Sequence, residues 1–170
     1  EDSLGRTWQC ATLQLDFQMP ETFNLEYTDN EGKTQRPVMV HRTIIGSVER
    51  FVGILTEHFA GAFPAWLSPV QVKVIPVSDK VIEYARVVYQ QLQDAVLRTE
   101  LDDRNEKLGA KIRDAQMQKT PYMIIVGQKE VETGKITVRL RDGKDLGQMA
   151  ISEFIVKVKD IILTKSLNLW

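Results

Sequence analysis

The chain has 170 residues, 43% hydrophobic and 26% charged, with a net charge of −1. That composition excludes a disordered tail, a collagen-like repeat and a disulfide-stapled miniprotein, and no apolar run approaches the roughly eighteen residues of a membrane span. The near-neutral total hides an uneven spread: residues 1–67 carry 5 Lys/Arg against 9 Asp/Glu, and residues 68–170 carry 17 against 14.

Cys10 is the only cysteine. It has no internal disulfide partner, which points to a reducing, cytoplasmic compartment. Residues 1–5 show no basic-then-apolar targeting pattern. Thr12 to Gln18 alternates Leu13, Leu15 and Phe17 with Gln14, Asp16 and Gln18, the period of a strand with one buried face. Asp29-Asn30-Glu31-Gly32 reads as a turn, and Pro37 to His41 as a second strand. From Gly46 the period becomes helical, with Val48, Phe51, Val52, Leu55 and Phe59 as an apolar stripe. Gly46, Arg50, Gly53 and Glu57 fall on another face. Glycine costs a helix about 1 kcal/mol relative to alanine, so the pair suggests close approach by a strand or ligand, with plain backbone packing as the alternative.

Two prolines bracket a Trp-Leu pair in Ala62-Phe63-Pro64-Ala65-Trp66-Leu67-Ser68-Pro69, which reads as a packed connector; the domain boundary is expected there, between residues 67 and 68. Beyond it, strand and helix signals alternate. Val70 to Ile75 is a strand, and Asp79 is the expected cap of a helix carrying Val81, Tyr84, Ala85, Val88 and Leu92. Leu97 to Leu101 returns to strand, and Glu106 to Gln118 is helical. Tyr122 to Gly127 is a continuous apolar run, as in a central strand. Lys135 to Arg141 alternates strictly, Asp142-Gly143 is a turn, and Ile151 to Ile162 is an amphipathic helix. Such alternation around a buried strand predicts a three-layer α/β domain with a mostly parallel sheet.

The sequence has no Gly-rich phosphate loop, no Cys-x-x-Cys and no His-Glu-x-x-His. Cys10, His41 and His58 are too few and too scattered for a self-contained metal site, and His58 reads as structural. Arg50 offers a permanently charged planar fork that suits a phosphate chain, against the alternative of a salt bridge to Glu49 or Glu57. Arg139 and Arg141, with Lys107, Lys111, Arg113 and Lys129, form a basic set suited to RNA. Interspersed Asp102, Asp103, Glu106, Glu130 and Glu132 suit either an ordinary solvated surface or the reading of base edges.

Several segments resemble the bacterial-type threonyl-tRNA synthetases. Thr7-Trp8-Gln9-Cys10-Ala11-Thr12-Leu13-Gln14-Leu15-Asp16-Phe17 is similar to one of their strands. Arg36-Pro37-Val38-Met39-Val40-His41-Arg42 followed by Gly46-Ser47-Val48-Glu49-Arg50-Phe51 is similar to motif 3 of the class II enzymes. Ala60 to Pro69 resembles their passage from catalytic to anticodon-binding domain. Leu101 to Gly109, Pro121-Tyr122 and Val126 to Glu130 resemble the anticodon domain itself.

The resemblance implies residues 1–67 as the end of a class II catalytic domain, with a partial antiparallel sheet and the motif 3 helix. Residues 68–170 would be a complete three-layer anticodon-binding domain, with a mixed, mostly parallel five-stranded sheet and flanking helices. It implies that Arg50 is the catalytic arginine on the γ-phosphate of ATP, used with Mg2+, and that Gln9, Thr12, Gln14 and Ser47 lie near the adenylate. His41 corresponds to one of three ligands of a zinc ion, Zn2+, that binds threonine through its amino and hydroxyl groups and so rejects valine. Asn105, Arg113, Glu130 and Arg139 correspond to contacts with anticodon bases of tRNA(Thr). Threonine, ATP and a homodimeric full-length enzyme are implied as partners, with no membrane. Against the family pattern, motif 1, motif 2, the other two zinc ligands and the editing domain have no counterpart here. The segment alone is therefore expected not to activate threonine, and its partial sheet is expected to have open edges. A stand-alone, non-catalytic RNA-binding module is the second reading and an α/β interaction domain without RNA the third. Arg50 and His41 favour the ligase.

Overall fold

A computed structural model describes residues 1–2 and 4–170. They form two compact units, Glu1–Phe59 and Ala60–Trp170. Among the described residues no helix is long and apolar enough to cross a membrane.

The first unit is built on two antiparallel strands, β1 (Thr12–Asp16) and β4 (Met39–Thr43). Between them lie a short helix α1 (Gln18–Thr22) and a small hairpin, β2 (Tyr27–Thr28) and β3 (Thr34–Gln35). Asp29 Oδ1 ties the hairpin turn by accepting from the Glu31 and Lys33 amides, both at 2.9 Å. Helix α2 (Val48–His58) follows, with Ser47 as N-cap. The expected buried face is not covered. Leu13, Leu15 and Phe17 are 62–69% exposed, and α2 buries no residue. A two-stranded sheet with two short helices lacks the further layer that would enclose its apolar side. Among the described residues β1 and β4 pair only with each other, which leaves each with an open edge.

The second unit carries a five-stranded sheet in the order β6-β5-β7-β8-β9. Its strands are β5 (Val72–Pro76), β6 (Thr99–Leu101), β7 (Tyr122–Val126), β8 (Ile136–Leu140) and β9 (Asp145–Met149). β6, β5 and β7 are parallel; β8 is antiparallel to β7, and β9 to β8. Only β8 therefore opposes the common direction. Helices α3 (Ile82–Asp94), α4 (Leu108–Met117), α5 (Gln128–Thr133) and α6 (Ile151–Leu163) connect or follow the strands.

The continuous apolar run of β7 is explained by burial on both sides. Tyr122, Ile124 and Val126 enter the main core with Ala85, Val88 and Leu92 of α3 and Phe154, Val158 and Ile161 of α6. Met123 faces the other way, into a smaller cluster with Ile75 and Ala115 of α4. Ile136, Val138 and Leu140 of β8 join the main core, so Thr137 and Arg139 lie on the α4 side. Helix α4 covers only the β5–β7 part of that side. The β8–β9 part lies beyond α4 and is only partly covered, by Glu130 of α5 at Thr137 and Gln148.

Asp79 does not cap α3. It lies in a 3-10 turn, Asp79–Val81, whose N-cap is Ser78, while Val81 precedes α3; neither makes a side-chain capping bond. The connector packs on the second unit. Ala65 is buried in the main core, and its carbonyl accepts from Gln71 Nε2 at 2.8 Å. Arg98 donates to Ser68 O from Nε (2.9 Å) and Nη2 (2.8 Å) and to Trp66 O (3.1 Å).

Candidate functional site

In the first unit the register pairs Thr12 with Thr43, Gln14 with His41 and Asp16 with Met39. Directly paired residues share a face, so Thr12, Gln14, Asp16, His41 and Thr43 form one polar side. A cleft of about 460 Å³ opens at one end of this ribbon, between Ala11–Leu13 and Arg42–Ile44. Gly46 brings the start of α2 to the same place. Its φ is +67°, and a Cβ there would stand 3.2 Å from the Cys10 carbonyl oxygen. That position needs glycine for both conformation and space. Gly53 has open space instead, so close approach by the chain itself is seen at Gly46 and not at Gly53. Gln9 is exposed in the extended stretch before β1. Ser47 accepts from the Arg50 amide (3.3 Å) and donates to Glu49 Oε2 (2.7 Å).

Glu49 thus takes the Ser47 hydroxyl, and among the described residues Arg50 makes no ion pair. Its guanidinium lies over the Trp8 ring, 5.5 Å from the centroid. Arg6 lies over the same ring at 5.4 Å. The ring is fixed by Trp8 Nε1, which donates to Asp2 Oδ2 at 2.7 Å. The Asp2 side chain is fully buried and also accepts from Arg6 Nε (2.7 Å), Arg6 N (2.9 Å) and Leu4 N (3.0 Å). The Trp8 hydrogen bond foremost, and against the cost of burial, holds the Asp2 carboxyl well below the usual range. Sequence reading passes over Asp2, Arg6 and Trp8 because nothing periodic links them.

His41 Nε2 sits 3.0 Å from Asp16 Oδ2. Asp16 Oδ1 accepts from the Gln18 and Met19 amides at 2.9 Å and starts α1. The Met19 amide, followed by His41, lowers its pKa. Among the described residues no three His, Cys, Asp or Glu side chains converge on a metal position. This chain by itself does not fit a zinc centre. Cys10 is a free, half-buried thiol.

In the second unit the expected RNA surface is smaller than the sequence suggests. Lys111 is 4% exposed and donates to Asp102 O at 3.1 Å. Arg141 donates to Phe63 O at 2.5 Å, and burial lowers its pKa. Asp102 is bound by Arg104 Nε (2.8 Å) and Nη2 (2.7 Å). What remains accessible is Asn105 and Lys107, in the loop before α4, exposed Arg113 on α4, exposed Lys129 on α5, and half-buried Arg139 on the open part of the sheet. Among the described residues none of the arginines 113 and 139 is ion-paired.

Glu130 differs from these. It is 9% exposed, and Oε2 accepts from Gly127 N at 2.9 Å. Oε1 accepts from Thr137 Oγ1 (2.8 Å) and Gln148 Nε2 (2.9 Å), side chains that face each other across β8 and β9. Burial works against its charge, but the Gln148, Thr137 and Gly127 bonds outweigh it and lower its pKa. Glu130 therefore joins α5, β8 and β9 at the border of the open face.

The Anticodon binding domain family matches residues 71–161. The tRNA synthetase class II core domain (G, H, P, S and T) matches residues 1–59. The chain is 61% identical over 167 residues to the threonine–tRNA ligase of Caldanaerobacter subterraneus subsp. tengcongensis, and 57% identical over 166 residues to that of Desulforamulus reducens. Each match covers 98% of this chain and 26% of the relative, so the chain spans about a quarter of the length of these curated relatives. Among solved structures, the RNA binding domain of threonyl-tRNA synthetase from Cryptosporidium parvum Iowa II matches with a TM-score of 0.82 and 37% identity, over 94% of this chain and 40% of that one.

Proposed function

The chain belongs to the threonine–tRNA ligase family, with an anticodon-binding domain behind a segment of class II synthetase core, and on that premise we propose that it acts as the C-terminal part of an enzyme that activates threonine with ATP and loads it onto tRNA(Thr). The observation that carries this reading is the half-open sheet of the second unit. Arg139 stands there on β8 beyond the cover of α4, within the region that matches the anticodon-binding family.

In this reading residues 68–170 recognise the anticodon. Arg139 and Arg113 present donor forks that suit phosphates or the O6/N7 edge of guanine, and Asn105 offers an amide to a base edge. Glu130 borders the same face, so its contact with a base uses a carboxylate already held on three donors. Residues 1–67 supply the end of the catalytic domain. Arg50 stabilises charge on the γ-phosphate of ATP bound with Mg2+. Gln9, Thr12, Gln14 and Ser47 line the adenylate position; the exposed polar side of β1 and the approach of Gly46 to Cys10 support that grouping. His41 supplies one zinc ligand in the full-length homodimer, the other two coming from outside this chain. The segment alone does not activate threonine, because one arginine cannot flank a triphosphate from both sides.

The test is tRNA binding by the 170-residue chain. It should bind tRNA(Thr) more tightly than other tRNAs, and Arg139→Ala should cost about 1–3 kcal/mol selectively for tRNA(Thr). Equal affinity for all tRNAs would refute anticodon reading. Threonine-dependent ATP–pyrophosphate exchange by the chain alone would refute its inactivity.

A further inference from the structure

The geometry points to Trp8 as a positioning residue for Arg50, holding its guanidinium by an aromatic face and leaving its donors uncommitted. The inference rests on the reading of Arg50 as the ATP arginine. A long, flexible side chain on an exposed helix needs something to fix it, and the usual device is a carboxylate. A carboxylate, however, would occupy the same fork that a phosphate must take. An aromatic ring attracts the cation through its quadrupole and accepts none of its N–H groups in the plane. Arg50 has this arrangement: the ring at 5.5 Å and no ion pair among the described residues.

The ring is itself held. Asp2, with no side-chain exposure, receives Trp8 Nε1 at 2.7 Å and so sets the plane of the indole. The same carboxylate receives Arg6 Nε at 2.7 Å. Two guanidiniums on one ring would repel each other, but Asp2 neutralises the one that is not needed for phosphate. Arg6 is thus a neutralised cover on the ring, and Arg50 remains the charge on offer. Ordering this group before ATP arrives removes part of the entropy cost of binding.

The test uses the full-length ligase that carries this segment, with ATP and threonine as probes. Trp8→Leu should raise KM for ATP about 2–5-fold and leave KM for threonine unchanged. Trp8→Phe, which keeps a π face, should restore most of the loss. In an Arg50→Gln background, ATP affinity measured by calorimetry should not respond further to Trp8→Leu. In the 170-residue chain, the Arg50 Hδ resonances should be shifted upfield by the indole ring current and return to ordinary values in Trp8→Leu. A Trp8→Leu loss that persists in Arg50→Gln, no rescue by Trp8→Phe, or unshifted Arg50 Hδ resonances would overturn the positioning role. If Arg50→Gln alone leaves ATP affinity unchanged, it is the assignment of Arg50 to ATP that fails.

Discussion

Replacing Glu130 should loosen the second unit by an amount that depends on pH. In Glu130→Ala, Gly127 N, Thr137 Oγ1 and Gln148 Nε2 lose their acceptor together. Hydrogen bonds to a charged group contribute about 1.5–3 kcal/mol each, but less in sum, because Thr137 and Gln148 are half-buried and regain water. The Gly127 bond among these is the cap at the start of α5, so its loss enters once. Removing the carboxylate's own burial cost offsets part of this, leaving a net loss of about 2–4 kcal/mol. Native-state hydrogen exchange at the β7 amides of the 170-residue chain reads this unit without reference to the other. Protection there should fall roughly 30-fold to several-hundred-fold. The pH dependence has a definite sign. The folded pKa of Glu130 is depressed, so its contribution is complete above the unfolded value of about 4.3 and is lost as pH falls through the folded one. Glu130→Gln, which puts an amide where three donors converge, should lie between the two at neutral pH, and wild type should approach it in acid. A Glu130→Ala effect below about 0.5 kcal/mol, or a gap equally wide at neutral and strongly acidic pH, would refute the reasoning.

Other substitutions probe separate features. Val96 closes α3 at φ +62°, with Leu97 N bonded back to Leu92 O at 3.1 Å; this is a glycine position filled by a β-branched residue. Val96→Gly should therefore raise the midpoint of thermal unfolding, with a gain of about 1 kcal/mol, and a lowered midpoint would contradict the assigned strain. Arg98→Ala removes three bonds to the Ser68 and Trp66 carbonyls, and residues 60–70 should then be cut faster in limited proteolysis; an unchanged rate would mean these bonds do not hold the connector. Calorimetric titration of the 170-residue chain with Zn2+ should show no stoichiometric micromolar binding, and tight binding lost in His41→Ala would show that ligands from outside the chain are not required.

The sequence conveys those parts of the fold whose pattern is uninterrupted. β7 is legible because burial on both sides makes it wholly apolar, and β8 because one side is core and the other open. β9 is missed: Gly147, at φ +77°, sits at an irregularity where Val138 pairs with Gly147 and Arg139 with Asp145, which breaks the alternation. α5 is missed because six residues carry too little of a helical period. Leu13 and Leu15 show the opposite case, in which a correct strand pattern implies burial that the first unit does not provide. At the candidate site, Arg50 is legible as a planar cation beside two glycines, and Ser47 and His41 are reached through family resemblance, whereas Asp16 as the partner of His41 and Trp8 as the partner of Arg50 depend on which segments fold side by side. Glu130 is legible as an acid among bases, but its three donors come from the α5 cap, β8 and β9 and have no common signature in sequence.

The half-covered sheet also bears on how this module can change over generations. Each residue of β8 commits to one of two roles by its parity: Ile136, Val138 and Leu140 to cohesion, Thr137 and Arg139 to the exposed side. Substitutions at the second set leave the packing against α3 and α6 untouched, so recognition can drift while the scaffold stays constant. Glu130 is where that independence ends, since its carboxylate is bonded to Thr137 and Gln148 of the variable side and to the backbone that launches α5. Lineages that alter Thr137 or Gln148 should therefore alter Glu130 with them, whereas among the described residues no such bond ties Arg139 to the scaffold and only its proposed contact with RNA constrains it.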